Sequence, residues 1–143
     1  MWGMTAPRHR GPLRVLWLLS IVTVVIGSLL PADSEPIQAL TRLNISDKIE
    51  HLAAYFVIAF LPAIHERRLF VCVWVLGAAA LGVGLEYGQL YSPGRAFEVA
   101  DITADILGVI IGVLVGLRLR PVLEKAWPRL YYFQPPGDGH DRA

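Results

Sequence analysis

The sequence predicts an all-α protein, a transmembrane four-helix bundle with both termini in the cytoplasm. Three observations lead there. Two apolar runs, Val15 to Leu30 and Leu69 to Leu85, contain no charged residue. Two shorter runs, Leu52 to Ile64 and Ile106 to Leu117, reach spanning length only when polar residues at one end are drawn into the helix. Basic residues then fall mostly on one side of the layer.

Composition agrees. The chain has 143 residues, 55% hydrophobic and 17% charged, with a mean hydropathy of +0.50 and a net charge of +1. An ordinary soluble domain is about 25% charged. A soluble bundle also needs a polar stripe on each helix, and the two longest runs have none. The small net charge excludes bulk electrostatic binding of nucleic acid. One cysteine, Cys72, fits neither an internal disulfide nor a zinc spacing.

The elements follow in order. Residues 1–12 form a cytoplasmic N-terminal tail. The first span covers about 13–31, flanked by Arg8, Arg10 and Arg14. A secretory leader shares that basic start, but Leu30-Pro31-Ala32 lacks the small-residue cleavage pattern, so the helix is expected to be retained. Residues Glu35–Leu43 suit a short interfacial helix. The second span covers about 46–64, with Ser46 or Asp47 as its N-cap. His65-Glu66-Arg67-Arg68 makes a tight turn into the third span, about 69–90. Ser92-Pro93-Gly94-Arg95 is a turn. The fourth span covers about 99–119. Residues 120–143 form a cytoplasmic tail, first interfacial, with Trp127, Tyr131 and Tyr132, then disordered.

Four spans place both ends on one side. That side collects 10 basic and 4 acidic residues; the other collects 3 basic and 8 acidic. An excess of Lys and Arg marks the cytoplasmic face. The expected address is the cytoplasmic membrane, with N and C termini inside.

The remaining acids are ordered. Asp47, His51 and Tyr55 recur every four residues in the second span. Glu86 and Gln89 lie three apart in the third, and Asp101 and Asp105 four apart in the fourth. Each spacing stacks its members on one helical face. With Lys48 and Arg95 they converge on the outer end of the bundle, as a ligand-binding set. Asp101, Asp105, Gly108, Gly112 and Gly116 share a stripe, and Gly84 and Gly88 mark another. Small-residue stripes let helices approach closely, so the third and fourth spans are expected to pack tightly. Glu50 and Glu98 read as solvated rim. Trp17 and Trp74 read as lipid-facing or belt residues. Ionisable groups inside a membrane are functional candidates by default, but Arg95–Asp101 or Lys48–Glu86 pairs that merely pin the bundle are an open alternative. No HxxxH or HExxH motif accompanies His51, and no metal or cofactor is assigned.

Asp47-Lys48-x-x-His51-x-x-x-Tyr55, Glu86-x-x-Gln89, Pro93-Gly94-Arg95 and Asp101-x-x-x-Asp105-x-x-Gly108-x-x-x-Gly112 together resemble the VanZ-like family of small bacterial membrane proteins. Its pattern carries Asn where this chain has Asp105. The resemblance implies a multi-pass fold, a bacterial membrane and a loose link to teicoplanin resistance and the cell envelope. It implies no reaction.

Three functions stay open. One is an envelope accessory protein whose outward pocket holds the head group of a lipoglycopeptide or lipid-linked wall precursor. The second is an enzyme on a lipid head group, with His51 as acid–base. The third is a small ion-coupled transporter, although acids at one end rather than the midplane speak against it. The lipid bilayer is the one partner expected in every case; the oligomeric state is open.

Overall fold

A computed structural model describes residues 11–66 and 68–127. Their regular structure is entirely helical: α1 (Gly11–Leu29), α2 (Glu35–Arg42), α3 (Asp47–His65), α4 (Arg68–Gln89) and α5 (Val99–Ala126). Three segments are long and apolar enough to cross a membrane: Gly11–Leu29, Phe70–Gln89 and Val99–Ala126. The four expected long helices are present, and α2 occupies the expected interfacial segment. Residues 1–10, Arg67 and 128–143, with most of both expected tails, lie outside the described residues.

Local chemistry sets the ends. Pro36 stands at the start of α2, where a missing N–H costs nothing. Glu35 in its first turn and Arg42 in its last complement the helix dipole. Asn44, at φ 53°, reverses the chain after it. Asp47 and Glu50 stand in the first turn of α3, again at the positive end of a dipole. The fourth long helix runs to Ala126, past the expected end at 119. Pro121 lies inside it; residues 120–126, expected to begin the interfacial tail, continue the helix.

α3 is the central helix. Tyr55, Ile58, Ala59, Leu61, Ala63 and Ile64 are buried on it, whereas α1 has no buried residue. Its interior proline has a local remedy. Pro62 has no N–H to give the carbonyl of Ile58, four residues back. The indole Nε1 of Trp17 donates to that oxygen at 2.9 Å. Trp17 is therefore half-buried and hydrogen-bonded, and meets Trp74 edge-on with centroids 4.6 Å apart. Trp17 is thus more than a lipid-facing or belt residue: it supplies the donor that the proline withholds.

The glycine stripe of α5 packs on α3, not on α4. The two helices run in the same direction, and contacts advance together along both. A Cβ on Gly108 would overlap the Leu52 carbonyl oxygen and lie 3.0 Å from the Phe56 nitrogen. One on Gly112 would overlap the Phe56 oxygen and lie 3.1 Å from the Phe60 nitrogen. One on Gly116 would lie 2.7 Å from the Ala63 Cβ. Backbone thus meets backbone over two turns, as in small-residue helix pairs of membranes. The expected tight pairing of the third and fourth spans through Gly84 and Gly88 does not occur. Gly84 faces open space, and Gly88 faces Leu29 of α1. Gly82 is the glycine of α4 that meets the polar cluster: a Cβ there would lie 2.7 Å from Asp105 Oδ2 and 3.3 Å from the Tyr55 ring.

At the end opposite the polar cluster, the expected tight turn is a buried junction. Glu66 is 4% exposed, and its Oε1 lies 2.7 Å from Arg14 Nη2. Arg120 Nη1 donates to its carbonyl oxygen at 2.6 Å. This joins the start of α1, the end of α3 and the late part of α5.

Candidate polar cavity

The first turns of α3 and α5 lie side by side because both helices start at the same end and run parallel. Asp47, Lys48 and His51 on α3 therefore face Asp101 and Asp105 on α5. Asp105 is buried, and its Oδ1 lies 2.9 Å from His51 Nδ1. An ionised carboxylate only accepts, so His51 donates from Nδ1 and turns Nε2 toward the other two acids. That Nε2 lies 3.9 Å from Asp47 Oδ1 and 4.0 Å from Asp101 Oδ2.

Lys48 supplies the countercharge. Its Nζ lies 2.7 Å from Asp101 Oδ1, 3.6 Å from Asp47 Oδ2, and in close contact with Glu98 Oε2. Asp101 is 2% exposed, and an acid at that depth needs a partner. Glu98 is thus more than rim: it shares Lys48 with Asp101. Its backbone N–H also donates to Glu86 Oε2 at 3.1 Å. Glu98 is the N-cap residue of α5, so the buried Glu86 carboxylate sits at the positive end of that helix dipole. The other Glu86 oxygen and the Tyr55 hydroxyl are buried with no hydrogen bond among the described residues.

Arg95 borders both cavities and also binds the protein itself. Its Nε donates to Leu30 O at 3.2 Å and its Nη2 to Gly27 O at 3.2 Å. Ser92 Oγ donates to Leu29 O at 2.9 Å, and Ala32 N donates to Pro93 O at 3.1 Å. Gly94 allows the turn, at φ 73°, and a Cβ there would crowd Ala32 at 3.0 Å. The Ser92–Arg95 turn is a clamp on the carbonyl end of α1. Neither an Arg95–Asp101 nor a Lys48–Glu86 pair occurs among the described residues.

Two adjoining cavities open at this end. One, about 230 Å³, is lined by α1 (Val24, Gly27), α2 (Ile37, Leu40) and α3 (Asp47, His51, Tyr55). The other, about 330 Å³, reaches Glu98 and Asp101. Ile37, Asp47, Glu50, Gln89 and Arg95 border both. One wall is apolar and the other carries carboxylates, so an amphiphile's two ends both find complements. Glu50, expected on the rim, is half-buried and lines both cavities. Its spacing from Asp47 was the available signal. The part of α2 was visible only as amphipathicity: Ile37 and Leu40 are three apart. Gly82 carried no stripe signal of its own.

A profile of the VanZ/LLP1 family matches residues 9–120. The chain belongs to the VanZ-like family. The match runs through every described helix, from α1 to most of α5. Neither curated proteins nor solved structures give a match. In this VanZ-like membrane protein the D-K-x-x-H segment forms the first turns of α3, and P-G-R closes α1. D-x-x-x-D-x-x-G begins α5 and runs directly into its α3-packing stripe.

Proposed function

We propose that this VanZ-like protein spans the bacterial cytoplasmic membrane four times, termini inside, and uses its outward cavity to bind the polar head of an amphiphile. The span beyond the three most apolar helices is α3, the second in chain order. Its 19 residues give about 28 Å at 1.5 Å per residue, near the hydrocarbon thickness. It is less apolar than its neighbours at one end, but it lies at the centre of the bundle, shielded from lipid along much of its length. The basic junction of Arg14 and Arg120 marks the inner end by the same charge rule that marked it in the sequence.

The observation that carries the binding reading is the pair of joined cavities, apolar on the α1–α2 side and acidic on the α3–α5 side. Lys48 and Arg95 are engaged with the protein itself. The groups left to meet a ligand are Asp47, Glu50, Gln89 and the Tyr55 hydroxyl. They suit a head group rich in amines and hydroxyls better than a bare phosphate. A lipoglycopeptide has that chemistry, which makes an accessory role in glycopeptide resistance the leading form of the reading.

The test is expression in a glycopeptide-sensitive bacterium. Wild-type protein is expected to raise the inhibitory concentration of teicoplanin. Asp47→Asn and Gln89→Ala proteins, present in the membrane at equal level, are expected to lose that effect. Full retention by both variants removes the cavity from the function.

The His51–Asp105 pair favours one second reading, a lipid-head-group enzyme with His51 moving a proton. Turnover of a labelled lipid by purified wild type but not by His51→Gln would establish it.

A further inference from the structure

We infer that Asp47, His51 and Asp101 form a binding site for a divalent transition-metal ion of the zinc type. The inference uses the cavity of the previous section but stands without any amphiphile. One donor atom from each residue lies within 4.8 Å of the others. Two come from consecutive turns of α3 and one from the first turn of α5, so the site fastens the two parallel helices at their outer end.

The orientation of the imidazole is the informative feature. A metal-ligating histidine almost always donates its other ring N–H to a carboxylate, carbonyl or water, which fixes the ring and raises ligand basicity. His51 does so: Nδ1 donates to the buried Asp105 at 2.9 Å. Nε2 then lies 3.9 Å from Asp47 Oδ1 and 4.0 Å from Asp101 Oδ2. Those separations are too long for hydrogen bonds. Ligand atoms about 2.0–2.2 Å from a tetrahedral zinc lie about 3.4 Å apart. The two edges at His51 close with a shift of about half an ångström each, and the half-exposed Asp47 side chain can swing toward Asp101 to close the third.

Lys48 does not block the arrangement. Its ammonium lies against Oδ1 of Asp101 and Oδ2 of Asp47. The oxygens nearest His51 Nε2 are the other one of each carboxylate. Glu98 and Asp105 add negative charge around the same ammonium and imidazole, so the cluster stays acidic enough for a dication.

An independent observation points to a ligand in the same space. The Tyr55 hydroxyl belongs to a residue 1% exposed, makes no hydrogen bond among the described residues, and lines the same cavity as Asp47 and His51. It lies one turn inward of His51 on the same face. Three protein ligands leave a fourth zinc position open, and the unpartnered hydroxyl lines the cavity through which an oxygen donor would reach it. Mixed imidazole and carboxylate donors favour zinc or manganese over magnesium.

The experiment uses full-length protein in lipid nanodiscs, stripped with EDTA and titrated with Zn²⁺ alone. Elemental analysis after desalting is expected to give one zinc per chain. Asp47→Asn and His51→Gln are expected to weaken binding at least tenfold; Gly84→Ala, at a position where a Cβ meets nothing within 4 Å, is expected to leave it unchanged. Co²⁺ loading is expected to give visible bands that shift in His51→Gln. Asp47→Asn is the variant least able to disturb folding, because its side chain is 47% exposed. Substoichiometric zinc in wild type, or equal affinity in Asp47→Asn and His51→Gln, overturns the site. Teicoplanin binding measured on the EDTA-stripped protein reads the amphiphile proposal separately.

Discussion

The indole Nε1 of Trp17 donates to the carbonyl of Ile58 at 2.9 Å, the acceptor that Pro62 leaves without its helical N–H. Loss of this bond orphans a buried oxygen, which costs about 1–3 kcal/mol. Trp17→Phe is therefore expected to lower unfolding stability in detergent by about that amount. In a Pro62→Ala background the helix regains its own donor at position 62. The cost of Trp17→Phe is then expected to fall, and a double-mutant cycle of thermal or denaturant unfolding measures the difference.

Gly112 and Gly84 make a matched pair. A methyl at Gly112 meets the Phe56 carbonyl and the Phe60 nitrogen, whereas a methyl at Gly84 meets nothing within 4 Å. Overpacking typically costs about 1–3 kcal/mol, and here the obstacle is backbone, which cannot swing aside. Gly112→Ala is expected to fall at or above that range, and Gly84→Ala to be neutral or slightly stabilising. Melting temperatures of the two purified variants check the ranking.

Arg95 closes the α1 carbonyl end through two nitrogens. Arg95→Ala is expected to cost about 1–2 kcal/mol through lost charge-assisted hydrogen bonds. Arg95→Lys is expected to recover only part, because one ammonium replaces a planar fork. Hydrogen exchange at Leu29 to Ala32 reads the local loosening. An unchanged α1 end in Arg95→Ala would return Arg95 to the cavity as a ligand-facing cation.

The helices were legible because lipid demands long apolar runs, and charge placement needs no tertiary detail. Every long helix begins within a few residues of its expected start. The acidic stacks were legible too, since Asp47, His51 and Tyr55 share a face by spacing alone. Pairings between helices were not. Gly108, Gly112 and Gly116 announce a close approach but not the helix they approach. Only the parallel run of α3 and α5 directs them to Leu52, Phe56 and Phe60. Arg95 read as a countercharge because its nearest acids in sequence are close. The carbonyl end of α1, far away in the chain, holds it instead. Glu98 read as rim, and half of its side chain is exposed, but nothing local in the sequence reveals that Lys48 is shared between it and Asp101.

The proposed orientation places Asn44 outside and Lys125 inside. In a Cys72→Ala background, Asn44→Cys is expected to react with a membrane-impermeant maleimide on intact cells. Lys125→Cys is expected to react only after the membrane is opened. The reverse pattern inverts the topology and with it the side on which the cavity opens.

The central proposal is that the end of the bundle bordered by Asp47, Glu50 and Gln89 receives an amphiphile's head group. Its most direct measurement is calorimetric titration of teicoplanin into metal-free protein in nanodiscs, with empty nanodiscs subtracted. Saturable binding is expected for wild type, weakened at least tenfold in both Asp47→Asn and Gln89→Ala, with Gly84→Ala unchanged. Equal heats in wild type, both cavity variants and empty nanodiscs would contradict it.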